Sequence, residues 1–193
     1  MSDVLLDPSA VTISLTRMAA EIVERGRRLP GALVLVGIRR GGDPLARRLV
    51  SLITGLHGAA APAIGAVDIT LYRDDAATAL PNPKIGPSKL PSVEGKRVVL
   101  VDDVLHTGRT IRAALDAVLA FGRPKTIELA VLVDRGGREL PIQPDYTGMK
   151  IEVGPSERVE LVWKRTGPGP DDEEPWAIRV AKRDLGRSTE ETS

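Results

Sequence analysis

Three largely apolar runs punctuate the chain: Ala32–Ile38 (ALVLVGI), Val98–Val101 (VVLV) and Thr126–Val133 (TIELAVLV). Runs this short and rich in β-branched residues predict strands buried on both faces. The segments between them change period. Val11, Leu15, Met18 and Ile22 recur at helical spacing, with Ser9 as the expected N-cap and Arg17, Glu21, Glu24 and Arg25 on the opposite, solvated face. Gly26 and Pro30 are the expected stop. A second helix is predicted from Pro44 through PLARRLVSLITGL, and a third from Thr110 through IRAALDAVLAF. Val67–Tyr72 alternates apolar and polar positions and predicts a half-buried strand. Strands alternating with helices imply right-handed crossovers and an α/β, doubly wound, mostly parallel sheet with flanking helices.

The remaining segments have other signatures. Met1–Pro8 reads as a loose leader, and the Gly55–Ala66 connection makes His57 a loop histidine. Residues 76–94 hold Pro81, Pro83, Pro87 and Pro91 without periodicity, the pattern of a flexible lid, with Lys84 and Lys89 inside it. Val159–Lys164 and Trp176–Lys182 predict a closing C-terminal antiparallel hairpin around the connector TGPGPDDEEP, with Trp163 and Trp176 packing in it. The tail from Asp184 to Ser193 reads as disordered. No repeat or second domain is visible, so the expectation is one domain over residues 1–193.

Composition narrows the chemistry. Cysteine is absent and only two histidines occur, which excludes a disulfide framework, a thiol nucleophile and a multi-histidine metal centre. Lys and Arg (27) nearly balance Asp and Glu (26), so bulk charge gives no pull toward nucleic acid or membrane. No apolar run reaches membrane-spanning length and no signal pattern opens the chain, so the expected location is cytoplasmic.

Candidate chemistry gathers where the buried strands end. Asp102 and Asp103 follow VVLV, then Leu105–His106–Thr107–Gly108 leads into a helix. The N–H groups of a helix N-terminus suit a phosphate, and Thr107 and Thr110 add hydroxyl donors. Two carboxylates repel that phosphate, so their partners are a sugar diol or a magnesium ion. Arg39–Arg40–Gly41–Gly42–Asp43 repeats the strand–glycine loop–helix arrangement and suits a second anion such as pyrophosphate. Asp134–Arg135–Gly136–Gly137–Arg138 ends the third strand on the same sheet edge. Together these describe a site for a phosphorylated sugar.

VVLVDDVLHTGRT (Val98–Thr110) resembles the phosphoribosyl-diphosphate (PRPP) signature of type I phosphoribosyltransferases. DITLYRDD (Asp68–Asp75), GRPKTIELAVLVDRGGRELP (Gly122–Pro141), LTRMAAEIVERG (Leu15–Gly26) and DYTG (Asp145–Gly148) narrow the resemblance to the PyrR family. In that family a pyrimidine-operon attenuation regulator is also a uracil phosphoribosyltransferase. The resemblance implies the type I phosphoribosyltransferase fold and the reaction of uracil with PRPP to give UMP and pyrophosphate, with Mg2+. It implies catalytic roles for Asp102, Asp103 and Arg73, the two acids meeting the metal through PRPP. Arg39, Arg40, Gly41, Val104, Leu105, His106, Thr107, Gly108, Arg109 and Thr110 would bind PRPP or UMP. Val133, Asp134 and Arg135 would meet uracil. Arg25 and Arg138 would contact a pyr mRNA leader, and the chain would self-associate as a dimer or tetramer.

The chain departs from that pattern in two places. Arg40–Gly41–Gly42 stands where the family has Thr-Arg-Gly, and His106 replaces a tyrosine. On the RNA surface Ala20, Gly137, Gln143 and Met149 stand where basic residues or histidine are expected, which weakens phosphate neutralisation. Three readings were weighed. A uracil phosphoribosyltransferase comes first; a UMP- or PRPP-sensing RNA-binding attenuation regulator with little catalysis is the alternative. A receiver-like phosphoacceptor domain ranks last, because its acids belong near the first strand and DITLYRDD would be unexplained. Orotate and purine enzymes share the phosphate chemistry, so base choice stays open at this point.

Overall fold

The computed structural model describes residues 3–29, 31–39, 41–57, 61–69, 89–154, 157–167 and 173–182. In chain order the elements are β1 (Asp3–Leu6), α1 (Pro8–Arg28), β2 (Leu33–Ile38), α2 (Gly42–His57), β3 (Ala63–Val67) and β4 (Arg97–Leu105). There follow α3 (Arg109–Leu119), β5 (Thr126–Asp134), β6 (Tyr146–Lys150), β7 (Glu157–Arg165) and β8 (Glu173–Lys182). Five strands form a parallel sheet in the order β3-β2-β4-β5-β6, and the other three form a small antiparallel sheet in the order β1-β8-β7.

The central strand explains the layering. Along β4, Val98 and Leu100 point to one face and pack with Ile111, Ala114 and Val118 of α3. Val99 and Val101 point to the other and pack with Leu15, Met18 and Ile22 of α1 and Leu45 and Leu49 of α2. Each fully buried aliphatic side chain contributes about 1.5–3 kcal/mol, so the doubly covered VVLV run anchors the sheet. Ile178 of β8 belongs to the same core, which ties the small sheet to α1 and α2. No helix among the described residues is long and apolar enough to cross a membrane.

Several boundaries differ from the sequence reading. The supposed leader contributes β1, which pairs antiparallel with β8, Asp3 opposite Val180 and Leu6 opposite Ile178. Asp7, not Ser9, caps α1: its Oδ1 accepts the Ala10 N–H at 2.9 Å, and Pro8 takes the first helical position. Gly26 does not stop α1. A Cβ there would lie 2.8 Å from Arg97 Nη1, so its glycine permits a close approach inside a helix that runs on to Arg28. The strand expected at Val67–Tyr72 lies earlier, at Ala63–Val67, because its partner β2 ends at Ile38, opposite Val67. Residues 70–72 are outside the described set, as are Lys84 and the greater part of the expected lid. The lid's final stretch is fixed instead: Lys89 bridges Ala66 through two backbone hydrogen bonds of 2.9 and 3.0 Å, and Val93 is buried in the core. The C-terminal hairpin is present as β7 and β8, nine paired positions long; the tail from Asp184 lies beyond the described residues. Edge strand β6 had no apolar run to announce it.

At its N-terminal end β4 carries a buried ion pair. Arg97 donates from Nε and Nη2 to both carboxylate oxygens of Glu128 on β5, at 2.7 and 2.8 Å. Its Nη1 donates to the Ile22 carbonyl at 3.0 Å, and Nη2 also to the Tyr146 hydroxyl, which itself donates to Glu128. Burial alone would raise the Glu128 pKa, but Arg97 and Tyr146 bring it below the ordinary range. Burial and its bond to Glu128 push the Tyr146 hydroxyl up.

Removing one partner strands the other charge. Arg97→Ala is therefore expected to destabilise the protein by about 3–5 kcal/mol, whereas Arg97→Met with Glu128→Leu loses much less. Urea unfolding of both variants measures the difference; an equal loss in the two would refute the stranded-charge account.

Candidate active site

The parallel sheet brings three strand-end loops to one edge, those after β2, β4 and β5. At the end of β4, Asp102 is 6% exposed and Asp103 is half-buried. Asp102 Oδ1 accepts the Asp103 N–H at 3.0 Å, and Asp103 Oδ1 accepts the Val104 N–H at 2.8 Å. Burial, reinforced by the neighbouring Asp103 charge, pushes the Asp102 pKa well up. Burial also raises that of Asp103, against the opposing pull of the Val104 N–H. Two adjacent carboxyls with raised pKa values hold a proton more readily than free carboxylates do.

The loop between β2 and α2 closes directly onto this pair. A Cβ at Gly41 would sit 2.3 Å from Asp103 Oδ2, and one at Gly42 would sit 2.0 Å from the Val101 carbonyl oxygen. Gly42 therefore excludes a side chain because it meets backbone, whereas a side chain at 41 would require the Asp103 carboxylate to shift. Gly42 stands in the loop that the sequence assigns to a second anion. Arg39 anchors its backbone N–H on the Val67 carbonyl at 3.0 Å, and its buried Nε lacks a hydrogen-bond partner among the described residues. A buried guanidinium nitrogen in that condition fits an anion. Arg40 and Arg73 lie outside the described residues.

Beyond the acids the chain makes a phosphate-sized turn. Gly108, at φ +92°, is the N-cap of α3 and offers no side chain to cap the first-turn N–H groups. Thr107 Oγ1 accepts the Arg109 N–H at 3.4 Å. Arg109 pairs with Glu139 at 2.7 Å. Leu105 is buried in the core and Val104 packs against it, so they present main chain to this edge, not side chains.

The loop after β5 is braced from within. Asp134 accepts the Gly136 N–H at 3.0 Å and pairs with Arg138 at 2.7 Å. The Arg135 N–H donates to the Leu105 carbonyl at 3.0 Å. Val133, expected at a nucleobase, is instead a core residue at 1% exposure, because the last apolar position of β5 faces α1.

The two residues assigned to an RNA surface are also committed inside the molecule. Arg138 donates to the carbonyls of Ile142 and His106 at 2.9 and 3.0 Å in addition to its Asp134 pair. Arg25 pairs with Asp145 at 2.9 Å and lies 5.8 Å from the Tyr146 ring centroid. It lines a cleft of about 760 Å³ in which Glu21, Glu24 and Asp145 outnumber Arg25 and Arg28. The lining of that cleft carries no positive excess.

Comparison with known proteins agrees with this geometry. Residues 1–164 match the family described as phosphoribosyl transferase domain, which sets the class. The bifunctional protein PyrR of Pelotomaculum thermopropionicum is 53% identical over 158 residues, covering 81% of this chain and 86% of that protein. Its counterpart in Geobacter sulfurreducens is 52% identical over 161 residues, covering 83% and 90%. Among solved structures, a hypoxanthine phosphoribosyltransferase from Staphylococcus aureus superposes with a TM-score of 0.62 at 23% identity, covering 81% of this chain and 80% of that one, a likeness of fold. The chain belongs to the PyrR family of phosphoribosyltransferases.

The acid pair makes a pH prediction. A folded state that holds a proton more tightly than the unfolded chain loses stability as pH rises, here from about pH 4 upward through the raised pKa values. Asp102→Asn removes the buried charge and flattens that slope, raising the Tm of the ligand-free protein at pH 8 by about 2–4 °C. Thermal melts from pH 4 to 8 measure this; an unchanged slope would refute it.

Proposed function

We propose that this chain transfers the phosphoribosyl group of PRPP to uracil, releasing pyrophosphate and leaving UMP, with residues 1–193 acting as one cytoplasmic, self-associating domain. The observation that carries the reading is the buried acid pair standing between a glycine-bearing anion loop and a glycine-capped helix N-terminus. One loop suits the leaving pyrophosphate and the other the 5′-phosphate, which sets the ribose over the carboxylates.

On this reading the 5′-phosphate takes the N–H groups and hydroxyls of Thr107–Thr110. Asp103, with Asp102 behind it, accepts hydrogen bonds from the ribose hydroxyls and stands near C1′. As the bond from C1′ to the pyrophosphate oxygen lengthens, positive charge develops on the ribose, and the carboxylates stabilise it. N1 of uracil forms the new bond to C1′ and gives up its proton; pyrophosphate leaves with the bonding pair. Arg39 Nε donates to the departing group, and Arg40 and Arg73 are assigned there by the family resemblance. Uracil lies against the Asp134–Arg135 main chain. Among the described residues no cluster of three or more metal-ligating side chains occurs. The donor set is therefore a pair of carboxylates, which fits a magnesium ion that keeps most of its ligands as substrate oxygens and water. Held beside Asp102 and Asp103 through PRPP, Mg2+ would supply positive charge that neutralises the pyrophosphate.

The alternative, a nucleotide-sensing RNA regulator, depends on Arg25 and Arg138. Both are engaged by internal carboxylates, so the enzyme reading takes precedence.

Pyrophosphate release from PRPP and Mg2+, assayed separately with uracil, orotate, hypoxanthine and guanine, is expected with uracil alone. PRPP binding without turnover on any base would favour the regulator. Asp103→Asn is expected to lower kcat by about 10²-fold or more with the fold intact. Arg39→Ala is expected to raise the KM for PRPP about tenfold while leaving that for uracil unchanged.

A further inference from the structure

The loops after β4 and β5 are laced together by backbone and side-chain bonds. Leu105 accepts from Arg135, Thr107 accepts from the N–H groups of Glu139 and Leu140 at 3.0 and 3.1 Å, and Arg138 donates to the His106 carbonyl. In the middle of this lacing the His106 ring lies directly over Gly137. A Cβ at Gly137 would be 2.8 Å from His106 Nε2 and 2.9 Å from Cδ2. The imidazole therefore fills the space that any side chain at 137 would claim. Gly136 and Gly137 follow one another at φ +68° and +72°, a tight left-handed pair that non-glycine residues adopt at a cost. That pair makes the concavity in which the ring sits.

We propose that His106 is a positioning residue: its ring, seated on Gly137, fixes the separation between the 5′-phosphate loop and the loop that meets the nucleobase. The proposal rests on the phosphoribosyltransferase reading above, and it names a residue through which that site holds its base. The physical argument is one of mobility. Two successive glycines at positive φ give the 134–137 loop backbone freedom, and a loop that must be ordered on binding weakens affinity. The ring has two side-chain torsions, and both His106 and its neighbours are pinned through main-chain carbonyls, so it restrains the glycines at small entropic cost. The phosphate cradle depends on its own helix N-terminus and does not need this restraint. Loss of the ring should consequently weaken ligands that carry a base and spare those that carry only the ribose phosphate.

The test is calorimetric titration of the intact protein with UMP and with ribose 5-phosphate. His106→Ala is expected to weaken UMP about tenfold and leave ribose 5-phosphate within about twofold. Gly137→Ala, whose methyl expels the ring, should weaken UMP similarly. The double variant should be no weaker than the weaker single one, because both remove the same contact. His106→Phe, a ring without the nitrogens, should restore most of the UMP affinity. Multiplicative losses in the double variant, equal loss of ribose 5-phosphate, or unaltered UMP binding in His106→Ala would each overturn the proposal. A wild-type protein that binds ribose 5-phosphate but not UMP would instead sink the uracil reading, and this inference with it.

Discussion

Two carboxyl groups cannot be buried side by side without consequences for everything around them. Asp102 and Asp103 sit at the end of β4, where burial raises the proton affinity of both and the Asp103 charge raises that of Asp102 further. Their neighbours follow from that constraint. The β2–α2 loop lies so close that position 42 admits no Cβ and one at position 41 would press on the Asp103 carboxylate. Arg39, in the loop after β2, has a buried nitrogen with no hydrogen-bond partner among the described residues. An edge of sheet organised in this way is incomplete by design: it holds negative and positive groups apart until a ligand carrying both kinds of partner bridges them.

The same strand begins with the opposite arrangement. At Arg97 the buried charge is fully answered by Glu128, Tyr146 and the Ile22 carbonyl, and α1 is shaped around it through Gly26. One end of β4 is thus electrostatically closed and the other open. Rigidity at the closed end gives the open end a fixed base, which an active site built on strand termini requires. It also explains why Arg25, reaching in from α1 to Asp145 and Glu128, is less available to a polyanion than its partial exposure suggests.

What could be read from the sequence tracks how local each signal is. The VVLV run, the acids and the Thr-Gly turn are contiguous, so strand, site and helix were legible together, and the family was recognisable from the same residues. Features that arise from distant partners were not. β1 is four residues whose strand character depends on β8 at the far end of the chain. Gly26 reads as a helix stop until Arg97 is seen beside it. Val133 and Leu105 carry site positions in the motif but are core residues in space, because alternation along a strand sends their side chains away from the loop that follows. The seating of His106 on Gly137 joins residues from separate strand ends, and neither residue alone announces it.

The small antiparallel sheet has a further implication for how the chain reaches this state. The parallel sheet and its helices can assemble from segments close in sequence, but Asp3 finds Val180 only after almost the whole polypeptide lies between them. Closing so long a loop is entropically unfavourable until the intervening domain is compact. The β1–β8 pairing is thus the contact whose loop-closure cost depends most on the rest of the core, and β8 joins that core through Ile178, buried with residues of α1 and α2.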